Sequence, residues 1–427
     1  MHPDDQDHQD DHHDDHLDGE QLPRGVLRAP HQFGGGYLYR AGELLCDKRS
    51  VGAVRAALRE QGMEIFGDEE PIRETGLVRM RVTEERVSVP EVITRLRGRE
   101  FHPEDGERPW SIHPHYVLCA GTHPKAFPTA PPAAGAALND LSGSITNPPG
   151  GGVKVAVLDS GMMDGHPFLG ARARPMRAGV PDDIEQPARN ADGFLEQYAG
   201  HGTFIAGVVL QHAPGAEVVA GKLFEGDGCF DDDKLATAID GLPGDIHVLN
   251  LSLGAYTHGD TGLPLTALAL AGAFARNPGL VVVASAGNDG LDRQTFPAAF
   301  KRVVGVGALG PDGRRACFSN FGPWVDAWAP GVDVQSTFFE VDAEPQPVPG
   351  PHCLGEPAKG TQQFKGWATW SGTSFAAPRV AGAVAAAVGP SMDACEAAFR
   401  LVGAAQAPRL KDPGCGFGAV VDPACYG

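Results

Sequence analysis

Apolar positions along the chain fall into two textures, which change near residue 151. In the N-terminal third the apolar runs are short and broken, as at Leu44-Leu45-Cys46. Val51, Val54 and Leu58 then share one face at helical spacing, which predicts a helix over Val51–Gln61. Gly76–Val82 alternates apolar and polar, which predicts a strand. Val89–Leu96 predicts a second helix, with Pro90 in the first turn, where its missing N–H goes unmissed. Ser111–Ala120 alternates again through Ile112, Tyr116 and Leu118. The expectation is a small α+β domain over residues 30–120.

From Gly151 the apolar runs become continuous. Val153-Lys154-Val155-Ala156-Val157-Leu158 predicts a buried strand, and so do Val218–Phe224, Ile246–Leu253, Val281–Ala284 and Val303–Val306. Between them fall helical stretches over His201–Gln211, Asp232–Leu242 and Leu265–Arg276, with an Ala-rich helix over Thr373–Val388. Strands alternating with helices imply a parallel sheet covered on both faces. This α/β domain is expected over 151–390, followed by a C-terminal extension over 391–427.

Two segments lack such patterning. Residues 121–150 are rich in Pro, Ala, Gly and Thr and are expected to form an exposed linker, open to proteolytic nicking. Residues 1–29 are expected to be a disordered tail. The first 20 carry nine carboxylates and no Lys or Arg, with five interspersed histidines. Metal binding is one reading of the tail; with nothing apolar to offset ordering entropy, a solvated coil is the plainer one.

Composition narrows the class. Gly and Pro make up about 22% of the 427 residues, just under the range of a low-complexity chain, so the reading is a loop-rich globular protein. A net charge of −19 opposes nucleic-acid binding. No apolar run is long enough for a membrane span, the longest being Val380–Val388. The acidic N-terminus does not read as a secretory signal, so a cytoplasmic chain is expected; a misplaced start codon or an unrecognised export route would read the same way. Eight cysteines without a C-x-x-C pair are expected to be free thiols, with a bridge conceivable only among Cys395, Cys415 and Cys425.

Four places offer chemistry. Asp159 closes the strand 153–158, where functional groups of open parallel sheets gather. His201 opens a helix and is suited to proton transfer near neutral pH. Ser374 lies in Gly372-Thr373-Ser374-Phe375-Ala376-Ala377-Pro378, at a helix start whose free N–H groups can hold an oxyanion. Asn288 follows a buried strand and can donate to such an oxyanion. Singly, each has an ordinary reading as a turn or a cap. Jointly they do not: Gly-Thr-Ser-x-Ala-x-Pro alone recurs by chance on the order of once in a million positions. The order Asp, His, Ser is also one of the known triad orders.

Over residues 151 to 390 the sequence resembles the subtilisin-like serine peptidases, or subtilases. The resemblance rests on Val157-Leu158-Asp159-Ser160-Gly161, Gly200-His201-Gly202-Thr203 with Ala206-Gly207, and Ser371-Gly372-Thr373-Ser374 through Pro378 to Ala381-Gly382. Asn250-Leu251-Ser252-Leu253-Gly254, Ala286-Gly287-Asn288, Phe318-Ser319-Asn320-Phe321-Gly322 and Ala329-Pro330-Gly331 add to it.

The resemblance implies a three-layer parallel-sheet catalytic domain and a serine endopeptidase working through an acyl-enzyme on peptide or protein substrates. Ser374 would be the nucleophile, His201 its base, Asp159 the group that orients the imidazole, and Asn288 the oxyanion donor. Ser252, Leu253 and Gly254 would pair with an extended substrate, and Ser285 and Gly287 would line a specificity pocket. No cofactor is required; structural calcium is implied but cannot be located, and Asp231-Asp232-Asp233 reads either as a cation site or as charge at a helix N-terminus.

The α+β domain then resembles, by its order of elements, the propeptides that fold and inhibit subtilases. The chain would be a zymogen in which residues 117–122 lead into the cleft and are cut there or in the linker. Phe204 stands where many family members have a second His, and an altered pocket wall is expected. Phe338–Lys365 reads as an insertion near the cleft. A non-catalytic peptide-binding module and an acyl transferase on the same fold are the competing readings.

Overall fold

The structure, a computed structural model, describes residues 22–30, 36–72, 75–84, 87–98, 111–120, 131–138, 147–176, 183–347, 354, 359–403 and 419–421. The acidic segment 1–20 lies outside them.

The N-terminal sheet is antiparallel. It contains β1 (Val26–Ala29), β2 (Tyr37–Asp47), β3 (Ile65–Pro71), β4 (Leu77–Val82) and β5 (Ile112–Cys119). β2 lies between β5 and β4 and also carries β1. Helices α1 (Val51–Glu60) and α2 (Val89–Gly98) bury Val54, Leu58, Val92 and Ile93 against it. Two expectations change here. Val26–Ala29, assigned to the tail, is a strand on β2. β3, absent from the sequence reading, exposes charged side chains on both faces, so nothing in its hydrophobicity marks it.

The second sheet is parallel throughout. It is built from β7 (Lys154–Asp159), β8 (Ala173–Pro175), β9 (Glu217–Lys222), β11 (Val248–Leu251), β12 (Val281–Ser285), β13 (Val303–Leu309), β14 (Ala327–Pro330) and β17 (Ala419–Val420). Their order is β17-β14-β13-β12-β11-β7-β9-β8. Helices α3 (His201–His212) and α6 (Thr373–Ala387) pack together on one face, α4 (Asp232–Asp240) and α5 (Pro264–Arg276) on the other. This is the α/β layering the apolar runs imply. Beyond α6 lies the short α7 (Ala394–Ala398). β17 joins this sheet beyond the expected boundary at 390; two residues are too few to show a period.

A third, small sheet joins β6 (Ala133–Ala134), β15 (Val334–Ala343) and β16 (Gln362–Trp370). β15 and β16 form the antiparallel arms of the expected insertion. β6 pairs with Ala368 and Thr369, so the expected linker is anchored there.

The last short strand, β10 (Cys229–Asp231), belongs to the α/β domain yet pairs antiparallel with β5. The N-terminal sheet thus extends into the second domain. One hydrophobic cluster runs from Leu44, Val78 and Leu118 through Phe230, Leu235 and Ile239 to Leu249.

Candidate active site

β7 is flanked by β9 on one side and β11 on the other, so successive connections leave it in opposite directions. A crevice opens at the carboxyl ends of strands placed this way. Asp159 ends β7 there and is fully buried. Its Oδ1 accepts from Ser160 N at 2.8 Å and from His201 Nδ1 at 2.7 Å.

His201 is the first residue of α3, entered through Gly200 at φ 86°, a conformation that suits glycine. Its ring is enclosed by Trp370, Phe375 and Tyr198, at centroid distances of 5.6, 5.3 and 5.7 Å. With Nδ1–H donated to Asp159, Nε2 carries the lone pair, and it is buried without a partner.

Ser374 is the second residue of α6, so its N–H has no carbonyl one turn back. Its Oγ donates to Ser252 O at 3.4 Å, and its carbonyl accepts from Ser252 Oγ at 2.8 Å. Asn288 Oδ1 accepts from Thr373 N at 2.9 Å and from Thr373 Oγ1 at 2.8 Å. A backbone N–H can only donate, so these contacts fix the amide and turn Nδ2 the other way. Gly287 N donates to Thr373 Oγ1 at 3.1 Å, which ties the loop after β12 to the start of α6. Ser285, at the end of β12, is buried beside it.

Glu185 is the site residue that sequence reasoning missed. It is buried and accepts from Ser160 Oγ, Gly200 N, Thr203 N and Thr203 Oγ1 at 2.5–3.1 Å. It thus clamps the residue after Asp159 to the residue before His201. Burial pushes its carboxyl up to about 7, partly offset by the Ser160 and Thr203 hydroxyls. A single Glu in an irregular loop gives no spacing signal.

The cleft holds the chain's own β5. Cys119 N donates to Gly254 O at 3.4 Å, Gly254 N donates to Cys119 O at 3.2 Å, and Ala120 N donates to Gly228 O at 3.0 Å. The end of β5 therefore lies between Gly254 and β10 as a middle strand. Arg40 forms a two-pronged pair with Asp231, at 2.6 and 3.1 Å, and Arg79 binds Asp233 at 2.7 Å. Asp232 accepts from Leu265 N and Thr266 N at 3.1 Å and so caps α5; burial pushes it up to about 6.

Asp231, Asp232 and Asp233 are thus divided between domain docking and a helix cap. His115, Asp231 and Asp233 do bring ligand atoms within 4.8 Å of one another. The set does not fit calcium: it includes an imidazole, and both carboxylates are held by guanidinium groups.

Two further expectations are corrected. Phe204 is not a pocket wall; it is fully buried behind His201, 4.7 Å from Phe375 and 5.8 Å from Trp370 between ring centroids. Cys317 is disulfide-bonded, with a partner outside the described residues, whereas Cys46, Cys119, Cys229 and Cys395 are free. Among the described residues no helix is long and apolar enough to cross a membrane.

The α/β part of the chain resembles known proteins. The model of the subtilase family matches residues 150–418, and leaves the N-terminal sheet outside the match. Subtilisin BL of Lederbergia lenta is 34% identical over 246 residues, covering 55% of this chain and 76% of that protein. Subtilisin E of Bacillus subtilis is 34% identical over 250 residues, covering 55% of each. The crystal structure of fervidolysin from Fervidobacterium pennivorans, a keratinolytic enzyme related to subtilisin, aligns with a TM-score of 0.54 at 21% identity. That alignment covers 95% of this chain and 61% of the other.

Proposed function

The chain belongs to the subtilase family and is a subtilisin-like serine endopeptidase, and we propose that Asp159, His201 and Ser374 are its catalytic triad. The buried His201–Asp159 pair, with Nε2 left open, carries this reading. Ser374 Oγ attacks the scissile carbonyl carbon, and its proton passes to His201 Nε2. Asp159 holds the tautomer and stabilises the imidazolium. The oxyanion is met by Asn288 Nδ2 and the N–H of Ser374. His201 then returns the proton to the leaving amine, and water splits the acyl-enzyme by the same path.

Substrate binds as a strand added against Ser252-Leu253-Gly254, with Ser285 and Gly287 lining the pocket before the scissile bond. Residues 22–120 act as an intramolecular inhibitor in that place, supported by the pairing of Cys119 with Gly254. Cys119 faces Gly254, two residues along from Ser252, and Ser252 O lies beside Ser374 Oγ. Self-cleavage therefore falls between Gly121 and Thr122.

Ser374→Ala tests the whole reading. Intact mass should show the wild type cut after Gly121 and the variant whole, inert and folded. Undiminished turnover in the variant would overturn the triad.

A further inference from the structure

We propose that Cys119 and Cys229 form a disulfide that tethers the N-terminal domain in the substrate cleft. Cys119 ends β5 in the N-terminal domain, and Cys229 begins β10 in the catalytic domain. They are direct partners in the antiparallel register.

The hydrogen bonding fixes the geometry of that pair. The N–H and C=O of Cys119 are both spent on Gly254, on the opposite side. Cys119 and Cys229 therefore form the non-hydrogen-bonded kind of pair, in which facing Cα atoms lie about 4.5 Å apart. That falls within the roughly 4.4–6.8 Å that a disulfide spans. Cys119 packs with Val26, Leu38 and Val117, and Cys229 lies against the same cluster. Cys119 is buried and Cys229 half-buried, so an oxidant reaches Cys229 first.

The step balances with a small-molecule disulfide as oxidant. The Cys229 thiolate attacks it, forming a mixed disulfide and releasing one thiol. Cys119, after losing its proton, attacks Cys229 Sγ and expels the second thiol. The disulfide at Cys317 counts toward a setting that supports this chemistry.

The consequence rests on the proposed inhibitory role of residues 22–120. Once the peptide bond after Gly121 is cut, the tether holds the inhibitor covalently, and reduction leaves only its noncovalent docking, from which it can dissociate.

The experiment uses the full Ser374→Ala chain, equilibrated with oxidised glutathione, alkylated unfolded, digested and mapped by mass spectrometry. The expected product is a linked peptide pair holding Cys119 and Cys229, lost in Cys119→Ser. Separate alkylation of both thiols, with Cys317 still bonded, overturns the tether. In the oxidised, cut wild type, dithiothreitol should raise activity by about 100-fold, because a short tether holds its partner at an effective concentration on the order of millimolar. No dependence of activity on reductant in cut, linked protein overturns the latch. A wild type that stays uncut yet yields the linked peptide overturns only the self-processing reading and supports the tether.

Discussion

A Cβ on Gly202 would stand 2.0 Å from the carbonyl oxygen of Gly161. The loop after Asp159 and the first turn of α3 are therefore in backbone contact, and that contact sets the reach of His201 to Asp159. Gly202→Ala should push them apart. The expected result is a fall in kcat on the order of 100-fold with a smaller change in KM. The overpacking should also cost roughly 1–3 kcal/mol of stability. Kinetics and thermal unfolding of the variant measure both.

Asn288→Ala should lower kcat and leave KM nearly unchanged, since the donor acts on charge that develops after binding. The expected loss is roughly 100–1,000-fold, the figure known for subtilisin's own oxyanion Asn. The variant also releases Thr373 N and Oγ1 from their acceptor. Asn288→Asp keeps the acceptor and removes the donor, so it should be as slow as Asn288→Ala but more stable.

Glu185 makes stability depend on pH. With its folded value raised from 4.5 to about 7, the folded chain holds a proton that the unfolded chain has released. Stability from this group is present below pH 4.5 and lost as pH rises to about 7, by roughly 3 kcal/mol. In a Ser374→Ala background, Glu185→Gln should flatten this slope, so its deficit in Tm against the parent is larger at about pH 5 than at about pH 8. An amide also sets an N–H against the Gly200 or Thr203 N–H. In the active enzyme, kcat should fall about 10-fold or more as the clamp on His201 loosens.

Arg40 and Arg79 bridge the two domains through side chains that remain partly exposed, so each pair contributes modestly. Arg40→Ala with Arg79→Ala in Ser374→Ala should speed hydrogen exchange at the amides of β5 by about 3–10-fold. Unchanged exchange would place the docking energy in the apolar contact of Leu118 with Phe230 instead.

The catalytic fold was legible because its strands are buried on both faces. Val155 through Leu158 reads as an unbroken run for that reason, and the spaced blocks around Asp159, His201 and Ser374 point to one chemistry. What escaped reading lacks such a signature. β3 is charged and exposed, and β1 and β17 are too short to show a period. Glu185 is defined only by what folds around it. Phe204 reads as a pocket wall only if the helix face it occupies is unknown; beside Trp370 and Phe375 it is core.

β10 has three residues and, among the described residues, pairs with β5. Departure of the N-terminal domain would leave bare backbone on both β10 and Gly254. An unpaired sheet margin invites any extended chain, including a second enzyme molecule, and long apolar ones seed aggregates. Here the margin is short, is no part of the parallel sheet, and ends on Asp231, which would then have lost Arg40. The charge that docks the N-terminal domain would become, once that domain has left, a guard against self-association.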